Sequence, residues 1–234
     1  MTIQLSDLNA KVLKKVYGVY GYFYDAIIND EIYPCRCTLE LIDHDITPLN
    51  LNEIYDHPVD ILILMMNPGG SKPLDPFYLP QKISDPSQLY SSKELCPAIP
   101  DNTQYQIMKV MHQKQYQHAR IINLSDIREA KSPIFIKLAE TLNTVPGGGS
   151  HSIFDVSRVE DLEKFMGVSD SIPIIVGWGR DEKLLPLAYQ ALEHLKDLQV
   201  LGVPSNEENT LYSHPSPMMK RAKDDWLESI LSQM

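Results

Sequence analysis

A chain of 234 residues with 43% hydrophobic side chains can bury one sizeable core, and no shift in composition divides it. Its 21 Lys and Arg against 31 Asp and Glu give a formal net charge of −10, which disfavours long-range attraction to a phosphate backbone and leaves only a local basic rim to grip one. The longest apolar runs are too short to span a bilayer and the N-terminus lacks the layout of a secretory signal, so a cytoplasmic protein with no membrane partner is expected.

A single domain over 1–234 is read as an N-terminal helical segment (1–32) followed by an α/β core (33–234). From Ser6 to Asn29, apolar residues at three- and four-residue spacings behind a Ser cap predict an amphipathic helix interrupted by glycines. "YPCRCTLELI" (33–42) alternates as a strand does. Its Cys35 and Cys37, with Cys96, make an odd count without paired spacing, so no disulfide framework, metal site or cofactor is expected and the thiols are read as structural. "VDILILMM" (59–66), "HARIINLSDI" (118–127), "SIPIIVGWG" (171–179) and the shorter "DLQVLGVPS" (197–205) are near-continuous apolar runs, the pattern of strands buried on both faces.

Helical periodicity lies between them at 102–116, 133–143, 159–166 and 183–196. This alternation predicts a three-layer α/β/α sandwich with a short, mostly parallel four-stranded central sheet. Ligands of such sheets bind beyond the carboxyl ends of the strands. The segments leaving those ends are "NPGGSKPLDPFY", "NLSDIREAK", "GWGRD" and "SHPSPMMKR". The last is unusual, because Pro215 and Pro217 fix the backbone on both sides of Ser216 and aim His214 in one direction. "VPGGGSHS" (145–152) predicts a mobile surface loop. Lys72, Lys82, Arg128, Lys131, Lys220, Arg221 and Lys223 flank the four segments and are candidates for the basic rim.

Together, "MMNPGGS" (65–71), "IINLSDIREAKS" (121–132), "IIVGWGRD" (174–181) and "SHPSPMMKR" (213–221) resemble, in order and setting, the motifs of the uracil-DNA glycosylase superfamily. The likeness spans roughly residues 59–231 and is most specific in the His-Pro-Ser-Pro run after a Trp-Gly strand end. The Asn-Pro-Gly form is that of the mismatch-specific uracil and thymine glycosylases. The chain departs from the uracil-specific branch in having no aspartate directly before Pro68, and from the iron-sulfur branch in lacking its four cysteines.

The resemblance implies a monofunctional DNA glycosylase that flips a damaged, mismatched or modified base, including a hypermodified base of viral DNA, and leaves an abasic site. His214 would donate to the base oxygen where negative charge gathers, and Asn67 would hold the attacking water, with Asp75 as the nearest carboxylate able to act as base. Asn123 falls on the base-reading position, with Gly69 and Ser216 lining the pocket and Phe77 or Tyr78 supplying a stacking face. Met218 and Met219 stand where a wedge enters the base stack, with Lys220, Arg221 and Lys72 on phosphates. Trp178 is read as a packing residue. Two alternatives are an N-ribosyl hydrolase of free nucleosides or nucleotides, for which an acidic surface is harmless, and an inactive member that binds nucleic acid or protein.

Overall fold

The computed structural model describes residues 8–85, 89, 94–166 and 172–234. Helix α1 (Ala10–Val16) leads directly into strand β1 (Tyr17–Ile28), so the helix expected to reach Asn29 is corrected to less than two turns. The apolar spacing there fits both periods because nearly every residue is apolar, and its Val, Tyr, Phe and Ile favour the extended chain. Asn29 and Asp30, both at positive φ (49° and 63°), form a two-residue turn into β2 (Glu31–Asp43). Ile28 then faces Glu31 across an antiparallel hairpin that runs back to Tyr17 opposite Asp43.

The remaining strands are β3 (Ile61–Met65), β4 (Gln81–Ile83), β5 (Leu95–Pro97), β6 (His118–Asn123), β7 (Ile174–Val176) and β8 (Val200–Gly202). They form one mixed eight-stranded sheet in the order β4-β1-β2-β6-β3-β7-β8, with β5 paired to β1. The expected four-stranded sheet is corrected accordingly. Its four strands exist as the mutually parallel half β6-β3-β7-β8, and the hairpin β1-β2 extends that half antiparallel through β6.

Residues on β3 sort by parity, as a strand buried on both faces requires. Leu62 and Leu64 join the core beneath α3 (Ser132–Leu142), α4 (Val159–Met166) and α5 (Leu185–His194). Ile61, Ile63 and Met65 join the core beneath α1, α2 (Asn102–Lys114) and α6 (Lys220–Gln233). The protein is thus an α/β fold with helices on both faces of a mixed sheet. The chain leaves β3 for β6 through α2 on one face and leaves β7 for β8 through α5 on the other. Between these adjacent strands lies the switch point at which α/β sheets open a crevice.

Charge is buried beneath the β6 end. Arg158 donates to Asp126 at 2.6 Å and to Asp161 at 2.9 Å, and also reaches Cys37 Sγ at 3.3 Å, while the Tyr24 hydroxyl donates to Asp126 at 2.8 Å. The glycine-rich stretch expected to be a mobile surface loop is corrected as well. It forms a 3₁₀ turn, Gly148–His151, whose His151 is buried between Ser125 Oγ (3.0 Å) and Asn143 Oδ1 (3.2 Å). Burial pushes the His151 imidazole down to about 4, so it packs there as a neutral ring. All three cysteines are free, Cys35 and Cys37 deep in the core. Among the described residues no helix is long and apolar enough to cross a membrane.

Candidate active site

The four unusual segments leave the carboxyl ends of the four parallel strands. After β3, Asn67 turns its side chain across to the loop after β6, donating Nδ2 to the carbonyls of Ile127 (3.0 Å) and Glu129 (2.8 Å). Both amide hydrogens are thereby spent on backbone, and Oδ1 is the end left for a ligand. Gly69 turns the chain at φ +58°, a conformation that favours glycine, and the Ser71 N–H closes the turn onto Pro68. Arg128 donates to the Ser71 carbonyl at 2.6 Å and lies over the Phe23 ring. Lys72 is exposed at the end of this turn.

Asn123, the last residue of β6, has no exposed surface. Oriented as its neighbours require, its amide donates to the Asn67 carbonyl at 3.3 Å and accepts from Arg36 Nη2 at 3.2 Å. Each end of the Asn123 amide thus has one partner within the protein. Arg36, on β2, is the residue the sequence reading passed over. Its guanidinium is only 2% exposed, Nε and Nη1 find no protein acceptor, and burial lowers its pKa to about 10 against the pull of Asp101 and Asp126. A charged residue inside the apolar strand "CRCTLEL" was the available signal.

Asp75 lies in the segment that follows the Gly69 turn. It is exposed, its carboxylate accepts from the Phe77 N–H at 2.9 Å, and its carbonyl accepts from the Tyr78 N–H, so it initiates a turn. Phe77 is 85% exposed, whereas Tyr78 is half-buried edge-on to Phe23. The carboxylate that acts on the histidine is Asp101, the N-cap of α2, which pulls both His214 and Arg36 toward their charged forms. Sequence gave no sign of this, because Asp101 reads as a helix cap and is one.

His214 is held by its own loop. Its Nδ1 accepts from the Ser216 N–H at 3.0 Å, which fixes the neutral ring as the tautomer with its proton on Nε2. Burial lowers its pKa, and nearby Lys223 adds to the effect. Ser216 thus contributes its backbone rather than its hydroxyl. The neighbouring Ser213 donates its N–H to Val203 O at 2.8 Å, and its hydroxyl accepts from Arg180 Nη2 at 2.9 Å. Trp178 packs as expected, donating to Thr210 O and standing edge-on to Tyr212.

Gly177, at the end of β7, supports this loop from below. A Cβ there would meet Pro215 Cδ at 2.9 Å, and a proline ring pinned on both sides has little room to give. Gly177→Ala is expected to lower unfolding stability by about 1–3 kcal/mol in urea titrations, the cost of overpacking a filled site.

Beyond the loop, Met218 is 100% exposed and Met219 largely so. Lys220 pairs with Asp224 at 2.7 Å and Arg221 stands 3.9 Å from Asp225, all on the open surface of α6. A cavity of about 530 Å³ opens on the α6 side of His214, reaching Val203 and Trp226. Among the described residues no group of three or more His, Cys, Asp or Glu side chains is arranged to hold a metal ion. Comparison with protein-family models, with curated proteins and with solved structures found no match to the chain.

Proposed function

We propose that the chain is a monofunctional DNA glycosylase of the uracil-DNA glycosylase type, hydrolysing the N-glycosidic bond of a flipped base. The observation that carries this reading is His214: a half-buried, neutral imidazole whose Nδ1 is spent on Ser216 N–H, leaving Nε2–H as a fixed donor in the loop that leaves the carboxyl end of β8. Cleavage turns the departing base into an anion, and a donor already in position stabilises that charge without reorganising. Asn67 supplies Oδ1 as acceptor to the attacking water but cannot remove its proton, which makes for slow chemistry. Asn123 acts at one remove, fixing the Asn67 loop and Arg36. The exposed Met218 and Met219 are suited to fill the gap an extruded base leaves, and the N-terminal turn of α6 offers free N–H groups and Lys220, Arg221 and Lys223 to phosphate.

The second reading, hydrolysis of free nucleosides, is favoured by one observation: Lys220 and Arg221 already face carboxylates one turn along α6, on a chain of net charge −10. The two separate on duplex and single-stranded oligonucleotides carrying uracil, mismatched thymine, alkylated and bulky modified bases, assayed beside the matching nucleosides. Liberated bases are identified by mass spectrometry and abasic sites by alkaline strand cleavage. Strand breaks that vanish in His214→Ala support the glycosylase; base release from nucleosides alone supports the second reading; release unaffected by His214→Ala sinks both.

A further inference from the structure

We propose that His151 and Ser125 are positioning residues for Asn67, acting through a hydrogen-bonded relay that starts in the glycine-rich turn. Every link has its donor on the Asn67 side. Asn67 Nδ2 donates to the Ile127 carbonyl (3.0 Å), the Ile127 N–H to Ser125 Oγ (3.2 Å), the Ser125 hydroxyl to His151 Nδ1 (3.0 Å), and His151 Nε2 to Asn143 Oδ1 (3.2 Å). The relay needs His151 as a neutral ring, the form that burial imposes, and Asn143 Oδ1, an acceptor, places the ring proton on Nε2. Ser125 and His151 are 0% and 1% exposed, so neither meets a ligand and any influence they have passes through the loop they hold.

Ile127 depends on this relay because the strand beside it holds only its neighbours. Arg36 donates its N–H to the Asp126 carbonyl (2.8 Å) and Arg128 donates its N–H to the Pro34 carbonyl (2.9 Å), which joins the loop to β2 on either side of Ile127. The N–H and C=O of Ile127 itself take no part in that pairing; one goes to Ser125 and the other to Asn67. The turn that carries His151 is built to reach them. A Cβ on Gly148 would run into the Leu142 carbonyl and lie 2.7 Å from Val145 Cγ2, so a glycine is needed for the chain to fold back against the end of α3, where Asn143 sits. The His151 carbonyl then accepts from the Asp126 N–H at 2.8 Å, so the turn grips the loop after β6 by backbone and ring together. Such a grip matters to Asn67 Oδ1, because a displacement of about 1 Å at a reacting centre can cost about 100-fold in rate.

That Asn67 serves the reaction rests on the proposed function, whereas the relay does not, and the test reads the two apart. In the full chain labelled with ¹⁵N, the Asn67 side-chain amide is assigned by its loss in Asn67→Ala, and its proton exchange with water is measured. Ser125→Ala, which removes the middle link, should speed that exchange about tenfold, roughly the worth of one hydrogen bond, with the backbone amides of β7 and β8 unmoved. Asn143 is exposed, so Asn143→Ala reads the relay even where Ser125→Ala unfolds the chain; it should speed the exchange about threefold, and Asn143→Asp, which keeps an acceptor, should restore it. Kinetics are followed on the oligonucleotide carrying whichever of uracil, mismatched thymine or alkylated base the unmodified chain releases. There Ser125→Ala should slow single-turnover release about tenfold with the Kd for the oligonucleotide unchanged. In the Asn67→Ala background it should cause no further loss, since nothing remains to be positioned. Equal slowing in both backgrounds marks a merely structural effect and overturns the proposal, as does an Asn67 signal that stays still in Ser125→Ala and Asn143→Ala. Faster exchange at Asn67 in a protein that releases no base would uphold the relay and overturn the proposed reaction instead.

Discussion

Replacing His214 by Ala is expected to slow single-turnover base release by about 10² to 10³-fold, the usual cost of removing one fixed donor from a developing anion, with the far-UV spectrum unchanged. The pH profile distinguishes this role from a structural one. Burial, aided by Lys223, depresses the His214 pKa below 6.5, while Asp101 and the Ser216 N–H pull the other way. The working species is the neutral ring, which prevails above that depressed value. Activity should therefore stay level as pH falls through 6.5 and decline only lower, when a proton on Nδ1 displaces the Ser216 N–H. Asp101→Asn removes a group that favours the imidazolium, so it should carry the acid limb to still lower pH. A limb that stays fixed in Asp101→Asn, or a rate unaffected in His214→Ala, would remove the imidazole from the reaction.

Arg158→Met is expected to lower the unfolding free energy by about 3–5 kcal/mol in urea titrations, enough to unfold much of the protein if its reserve is ordinary. The size follows from what stays behind. Asp126 and Asp161 are both buried and both take hydrogen bonds from the one guanidinium; among the described residues no other cation forms an ion pair with either, Arg36 acting on Asp126 only from further away. A methionine of similar length refills the space but leaves two uncompensated carboxylates. Combining Arg158→Met with Asp126→Asn and Asp161→Asn should recover a large part of the loss, since the amides keep the shape without the charge. Failure of that rescue would mean that the network acts through packing rather than electrostatics.

How much of this was legible in the chain depended on where each residue met its partners. The parallel strands announced themselves because β3 and its neighbours are buried on both faces and read as unbroken apolar runs. The hairpin did not, because "VYGVYGYFYDAII" satisfies helical spacing simply by being apolar throughout; the better signal was the Asn29-Asp30 pair between two stretches rich in Val, Ile, Tyr and Phe. His214 was legible through the prolines that confine it. Asp75 was read as a base from its place in the chain, whereas its carboxylate accepts from the Phe77 N–H in its own turn and the carboxylate whose charge acts on His214 is Asp101, a helix cap some 26 residues further on. Arg36 left one sign in the chain, a charge inside an apolar strand, but what marks it out, two guanidinium nitrogens with no acceptor, is a property that no spacing encodes.

The β1-β2 hairpin bears on how the site is assembled. Its pairing joins residues close along the chain across a two-residue turn, so closing it costs little chain entropy, whereas the parallel block needs crossovers that span α2, α3 with α4, and α5. Refolding should then register the ladder from Tyr17 to Asp43 first, with amide protons there shielded from exchange ahead of those in β7 and β8. Arg36 rides on that early piece, while Asn123, Asp101 and His214 arrive with later ones. Catalytic competence would be the last property the nascent molecule acquires.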